Sequence, residues 1–124
     1  MNDTEHVAIA GSGRVGHRVA QHFADRGRDV TVIDPDPDWA IESDRIEVVQ
    51  GDATKPSVLE SALTDRTGVV GALTDKQDTN LVVCLAAKRY GTGIRTVARI
   101  EERAGDEYEA YVDEVYFPER ASVR

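Results

Sequence analysis

Gly11-Ser12-Gly13-Arg14-Val15-Gly16 stands between the apolar run Val7-Ala8-Ile9-Ala10 and a segment carrying Val15, Val19 and Phe23 at four-residue spacing. A strand that enters a helix through G-x-G-x-x-G is the arrangement a dinucleotide's pyrophosphate needs. Gly11 permits the tight turn, Gly13 lets the backbone approach phosphates without a Cβ in the way, and Gly16 lets the helix pack closely on the strand. The free N–H groups and positive dipole end of that helix then face the anion. Glycine-rich turns are common, so the surroundings of the motif have to decide. Asp34 closes the next apolar run, Asp29-Val30-Thr31-Val32-Ile33-Asp34, and lies 23 residues after Gly11. An acidic residue at about that distance bonds the ribose hydroxyls. A P-loop would share the Gly11 to Gly16 spacing, but His17-Arg18 stands where Lys-Ser/Thr is required.

With 124 residues the chain is long enough for one domain and one core. Lys and Arg number 15 against 23 Asp and Glu, a formal net charge of -8 with both signs interspersed. A field of that sign repels phosphate backbones and anionic lipid, so general nucleic-acid or membrane-surface binding is disfavoured. The longest apolar run, residues 81–87, is far below the roughly 20 residues of a membrane span. The N-terminus has no basic n-region or apolar h-region, and Cys84 has no second cysteine to pair with. Both features suit a cytoplasmic compartment.

Along the chain, residues 6–10 form a short continuous apolar run, the pattern of a buried parallel strand. A helix is expected over residues 14–26, with Gly27 as its C-terminal cap. His17 and His22 sit five apart on it, a spacing that keeps two imidazoles off one face, so both are read as surface or boundary residues. A second strand covers 29–33 and is broken by Asp34-Pro35-Asp36-Pro37-Asp38. One helical turn over 37–42 carries Trp39, whose expected place is over the end of the sheet. A third strand covers 46–50 and ends at Gly51-Asp52-Ala53; a helix opens at Thr54-Lys55-Pro56-Ser57, with Pro56 in its first turn. A fourth strand is expected over 68–73 and a loop over 74–79. The helix over 80–90, N-capped by Asp78 or Thr79, is apolar almost all round and so expected to be buried, either under the sheet's neighbours or in a subunit contact. Cys84 within it reads as a structural thiol. A fifth strand covers 94–100, a short helix is expected between 101 and 110, and a sixth strand over 112–117.

Strands alternating with helices at this spacing predict an α/β fold: a Rossmann-like doubly wound parallel sheet of about six strands in a single domain. Right-handed crossovers bring Gly11 to Gly16, Asp34, Asp52-Ala53 and Thr74-Asp75 to one crevice at the carboxyl ends of the strands.

Gly-Ser-Gly-Arg-Val-Gly, Val-Ile-Asp, Gly-Asp-Ala, Ala-Leu-Thr-Asp…Asp-Thr-Asn-Leu, Ala-Lys-Arg-Tyr-Gly, Val-Ala-Arg-Ile and Asp-Glu-Val-Tyr-Phe-Pro-Glu, taken in order, resemble the TrkA N-terminal domain. That family is the nucleotide-binding RCK/KTN module that gates potassium channels and transporters, and the likeness runs from about His6 to Glu119. Each motif alone is loose; seven in the right order make the resemblance fairly specific. It implies that the loop Gly11, Ser12, Gly13, Arg14, Val15 and Gly16 holds the phosphates and that Asp34 binds the adenine-side ribose. It further implies that Asp52 and Ala53 flank the adenine, that Thr74 and Asp75 line the crevice beyond the phosphates, and that Arg99 reaches the ligand or a partner subunit. Arg14 stands where the family often has an arginine that meets a terminal phosphate; the alternative is a solvated arginine, since a cation in the first turn opposes the helix dipole. Asp34 would repel a ribose 2′-phosphate, which favours NAD(H) over NADP. NAD(H) is the first expectation, with ATP, ADP or AMP as the other candidates. The family usually continues into a C-terminal RCK domain, whereas residues 1–124 are expected to be the nucleotide-binding domain alone, as a free-standing sensor or as a piece of a larger chain.

The function expected is that of a regulatory module. Nucleotide binding would shift a conformational equilibrium in a homo-oligomer, and a membrane potassium transporter or channel subunit would respond. No Ser/His/Asp or Cys/His arrangement, metal-ligand cluster or Tyr-x-x-x-Lys stands out, so catalysis is not expected. The alternative is the nucleotide domain of a small NAD-dependent oxidoreductase or of a larger multidomain enzyme, which fold analogy alone sustains.

Overall fold

The computed structural model describes residues 5–37, 43–91, 93–101 and 110–116. In chain order its elements are β1 His6–Ala10, α1 Arg14–Asp25, β2 Asp29–Asp34, β3 Ile46–Gln50, α2 Pro56–Ser61, β4 Thr67–Ala72, α3 Gln77–Ala87, β5 Arg95–Arg99 and β6 Glu114–Tyr116. The six strands form one sheet in the order β3-β2-β1-β4-β5-β6, with every pair parallel. The order reverses between β1 and β4, which opens a crevice where the loops after these two strands diverge.

β1 is buried along its whole length because both its faces are covered, which explains its unbroken run of apolar residues. Val7 and Ile9 point to the side of α1 and pack with Ala20, Ala24, Val30, Val32, Ile46 and Leu73. Ala8 and Ala10 point the other way, into the cluster of Leu59, Val70, Val83, Cys84, Ala98 and Ile100 under α2 and α3. The alternation of the strand thus feeds two cores, one on each side of the sheet.

α1 ends one residue earlier than expected, and its termination follows from Gly27. That residue has φ +81°, the amide of Arg28 donates to Phe23 O at 3.1 Å, and the amide of Gly27 donates to Ala24 O at 3.0 Å. This is the paired bonding of a Schellman cap, which needs a left-handed residue at this point.

The sequence misplaces the start of α3. The helix begins at Gln77, three residues before the expected Asn80, so Asp78 and Thr79 lie in its first turn and Lys76 is the N-cap, with no side-chain bond. Within the single chain the sheet covers only one face of α3. Asn80, Val83, Cys84 and Ala87 form the buried stripe, while Val82 and Leu85 are 46% and 43% exposed. The 80/83/84/87 spacing is that of one helix face, and the remaining apolar residues simply exceed what one face can bury. Cys84 lies fully inside, where burial, assisted by the Asp113 charge, pushes its thiol pKa up to about 12. β4 runs one residue earlier than expected, and β6 is limited to Glu114–Tyr116. The turn expected over residues 37–42 with Trp39, and the short helix expected between 101 and 110, fall mainly outside the described residues.

Candidate nucleotide-binding site

The chain leaves β1 at Gly11, whose φ of +108° and backbone surroundings both exclude a side chain: a Cβ there would stand 3.0 Å from Thr74 N. Its amide donates to Ile33 O at 2.8 Å, continuing the ladder to β2 by one rung. Gly16 holds α1 against this turn so closely that a Cβ on it would lie 2.0 Å from Gly11 O. Gly13 differs from both. It is exposed, it is the N-cap of α1 with φ -71°, and a Cβ on it would meet nothing within 4 Å.

Gly13, the N-cap of α1, has no side chain to offer the helix amides, and the first turn contains no acidic residue. The first amides of a helix need an acceptor from outside the helix. At the Gly13 N-cap no side chain supplies one, so the local geometry fits an anion such as a phosphate.

Asp34 is half-buried at the end of β2 and faces this turn. Its Oδ2 accepts the Ser12 amide and its Oδ1 accepts the Asp36 amide, both at 2.8 Å. Burial alone would raise its pKa, but the Asp36 and Ser12 amides and the Ser12 hydroxyl hold it below the usual carboxylate value. The group is therefore an anion at neutral pH, able to accept further hydroxyl donors. The amide of Gly51 donates to Asp34 O at 3.0 Å and brings the end of β3 level with it.

Asp52 follows β3 and is exposed; its Oδ1 accepts both the hydroxyl and the amide of Thr54, at 2.7 and 2.9 Å. Those two bonds, the hydroxyl first, lower its pKa, with Lys55 and Lys76 adding to the effect. Ala53 is buried and belongs to the core beneath this turn. At the next strand across the switch point, the amide of Leu73 donates to Ala10 O at 2.9 Å. Thr74 is half-buried beside the glycine turn, and Asp75 is exposed. Arg99 ends β5, half-buried.

Every site residue expected from the sequence therefore lies at the carboxyl edge of the sheet: the glycine loop after β1, Asp34 at β2, Asp52-Ala53 after β3, Thr74-Asp75 after β4 and Arg99 at β5. Two features were not legible in the motif. A groove of about 810 Å³ runs between α1 and the sheet, with Arg14, Arg18 and Arg99 on its wall and Val69, Leu73 and Val97 among its lining. Arg18 follows Arg14 by four residues, one turn on the same helix face, which was the available signal. The second is Asn80, fully buried at the start of α3. Its Oδ1 accepts the Thr74 hydroxyl at 2.6 Å and the Thr74 amide at 3.0 Å, and its Nδ2 donates to Thr74 O at 3.0 Å and to Arg99 O at 2.8 Å. A lone amide on an otherwise apolar helix stripe was the signal there.

Known proteins share this chain's sequence pattern and fold. A Trk system potassium uptake protein TrkA homolog of Pyrococcus horikoshii is 37% identical over 100 residues, covering 78% of this chain and 44% of the relative. Among solved structures, the GsuK channel bound to NAD matches with a TM-score of 0.73 and 34% identity, over 91% of this chain and 21% of that one. The Kef C-terminal domain of Shewanella denitrificans in its AMP-bound form matches with a TM-score of 0.79 and 25% identity, over 91% of this chain and 71% of that one. The chain thus spans less than half the length of the curated relative it matches. The TrkA-N domain family matches residues 7–118, nearly all of the sequence. With a sheet order, a glycine turn and an acidic β2 terminus that fit the same assignment, this chain belongs to the TrkA-N domain family.

Proposed function

We propose that this domain binds NAD(H), or an adenine nucleotide in its place, at the switch-point crevice, and that the bound nucleotide regulates a potassium transporter or channel. The observation that carries the proposal is the convergence of the uncapped first turn of α1 with the Asp34 carboxylate, which is tied to the same loop through Ser12. The nucleotide's phosphates would meet the first-turn amides beside Gly13. Its adenine-side ribose would lie at Asp34 and its adenine near Asp52 and Ala53. The rest of the ligand would run past Thr74 and Asp75 toward Arg14 and Arg99. The names of the similar proteins, a potassium uptake protein and a channel bound to NAD, support the regulatory role.

Regulation requires the ligand to bind two conformations with different affinity, because only the difference shifts their populations. Self-association would supply the element that moves. The exposed Val82 and Leu85 of α3 are the surface that supports it. No helix among the described residues is long and apolar enough to cross a membrane, in keeping with an action on the membrane through a partner subunit.

The test is isothermal titration of nucleotide-stripped protein with NADH, NAD, ATP, ADP and AMP, beside Asp34→Ala. Selective binding that is lost in the variant supports the proposal; no binding at millimolar nucleotide overturns it. Turnover separates the regulatory role from the oxidoreductase alternative, since an enzyme would exchange hydride with a substrate and a sensor would not.

A further inference from the structure

We propose that Asn80 is a positioning residue that sets the preference of the crevice for a dinucleotide over a mononucleotide. The proposal rests on the nucleotide-binding function above. A carboxamide has two donor hydrogens and two principal acceptor sites on its oxygen. Asn80 uses all four: the oxygen takes the amide and hydroxyl of Thr74, and the nitrogen gives to the carbonyls of Thr74 and Arg99. The side chain is 0% exposed, so water cannot replace any of these bonds.

The consequence follows from where the three residues stand. Thr74 follows β4 and Arg99 ends β5, so one side chain fastens the carboxyl ends of two neighbouring strands to the first turn of α3. Those two ends form the half of the crevice on the β4 side of the switch point. Asp34 and Asp52, on the β2–β3 side, make no bond to Asn80. A mononucleotide seated at Asp34 with its phosphate on α1 uses the β1–β3 half and the helix end. A dinucleotide has a second ribose and base, which must lie against the wall that Asn80 holds. Asn80 touches no ligand in this arrangement; it acts through Thr74 and Arg99.

The experiment compares the affinities of NADH and AMP for the wild type, Asn80→Ala and Val83→Ala by isothermal titration, with thermal melts alongside. Val83 is equally buried, lies on the same helix and makes none of these bonds, so its truncation reports a purely structural loss. Asn80→Ala is expected to weaken NADH by about tenfold or more and AMP by less than about threefold, while Val83→Ala leaves the ratio of the two within about twofold. Equal loss of both ligands in Asn80→Ala, or the same change of ratio in Val83→Ala, overturns the proposal. Should Asn80→Ala fail to fold, the wild type is read instead through the side-chain amide resonances of Asn80. A shift on adding NADH and none on adding AMP supports the role, and no shift with bound NADH removes it. A wild type that binds neither nucleotide removes the nucleotide-binding function first, and this role with it.

Discussion

The amide of Ser12 donates to Asp34 Oδ2 at 2.8 Å, so the carboxylate at the end of β2 is bonded directly to the glycine loop after β1. One acidic residue thereby does two things. It orders the turn that presents the α1 amides, and it keeps its anionic form through the bonds from Ser12 and Asp36. Asp34→Ala is expected to cost about 1–2 kcal/mol of stability through the freed amides, and to weaken nucleotide binding by about tenfold or more. Urea unfolding and titration measure the two effects separately. The lowered pKa of Asp34 also has a sign: the stabilisation is present above the unfolded value near pH 4 and is lost as pH falls through the folded value. The variant should accordingly show a shallower loss of stability below about pH 4 than the wild type.

Gly13 and Gly16 divide the glycine motif into an open position and a packing position. A methyl group on Gly16 would lie 2.0 Å from Gly11 O, and neither backbone can yield without moving α1 off β1. Gly16→Ala should therefore lower stability by about 3 kcal/mol or more. Gly13→Ala meets nothing within 4 Å and keeps an allowed φ of -71°. Its stability should stay within about 1 kcal/mol of wild type, while nucleotide affinity is expected to fall if the phosphates occupy the open space that the methyl group would enter. Melting curves and titrations on the two variants test the division; equal destabilisation by both would remove it.

His6 is expected to make the amino end of the sheet sensitive to pH. It is 3% exposed, with Nδ1 2.7 Å from the Thr67 hydroxyl and Nε2 2.8 Å from the Thr31 hydroxyl. Thr67 Oγ1 already accepts the Thr64 amide at 2.8 Å, so its own proton is free to go to Nδ1 of a neutral ring. Burial and then the Arg66 charge lower the His6 pKa, against smaller opposing contributions from Asp29 and Glu47. A lowered histidine pKa means that stability is complete above the unfolded value near 6.5 and declines as pH falls from there through the folded value. Urea midpoints at pH 7.5 and pH 5 should differ more in the wild type than in His6→Leu. An equal difference in both would place the sensitivity elsewhere.

Cys84 should be unreactive in the folded protein. Its thiol is fully buried, its pKa is pushed up to about 12, and its sulfur lies 3.6 Å from Val97 O. Iodoacetamide at pH 8 is expected to modify it only after unfolding, because the thiolate is the reacting species. Labelling followed by mass spectrometry with and without urea checks this; rapid labelling of the native protein would contradict the packing.

The order of the elements, the parallel sheet and the set of loops at its carboxyl edge were legible in the residues alone. These are local or periodic properties. The buried run of β1, the 15/19/23 stripe of α1, Gly27 at the helix end and Pro56 in the first turn of α2 each act within a few residues. Asp34 was legible because its distance from Gly11 is set by the length of one βαβ unit. Features that depend on partners far apart in the chain emerge only on folding. The start of α3 at Gln77 could not be read from cap preferences, because Lys76 caps it without a side-chain bond and Asn80, which resembled the first helical residue, is spent on Thr74 and Arg99. The same holds for the exposure of Val82 and Leu85, since a pattern that is apolar on every face does not say which face the sheet covers. His6 read as one more residue of a buried strand until Thr31 and Thr67, 25 and 61 residues away, supplied the hydroxyls that make its burial tolerable. A buried polar group is stable only with its bonds made, and those bonds exist only once the chain has folded.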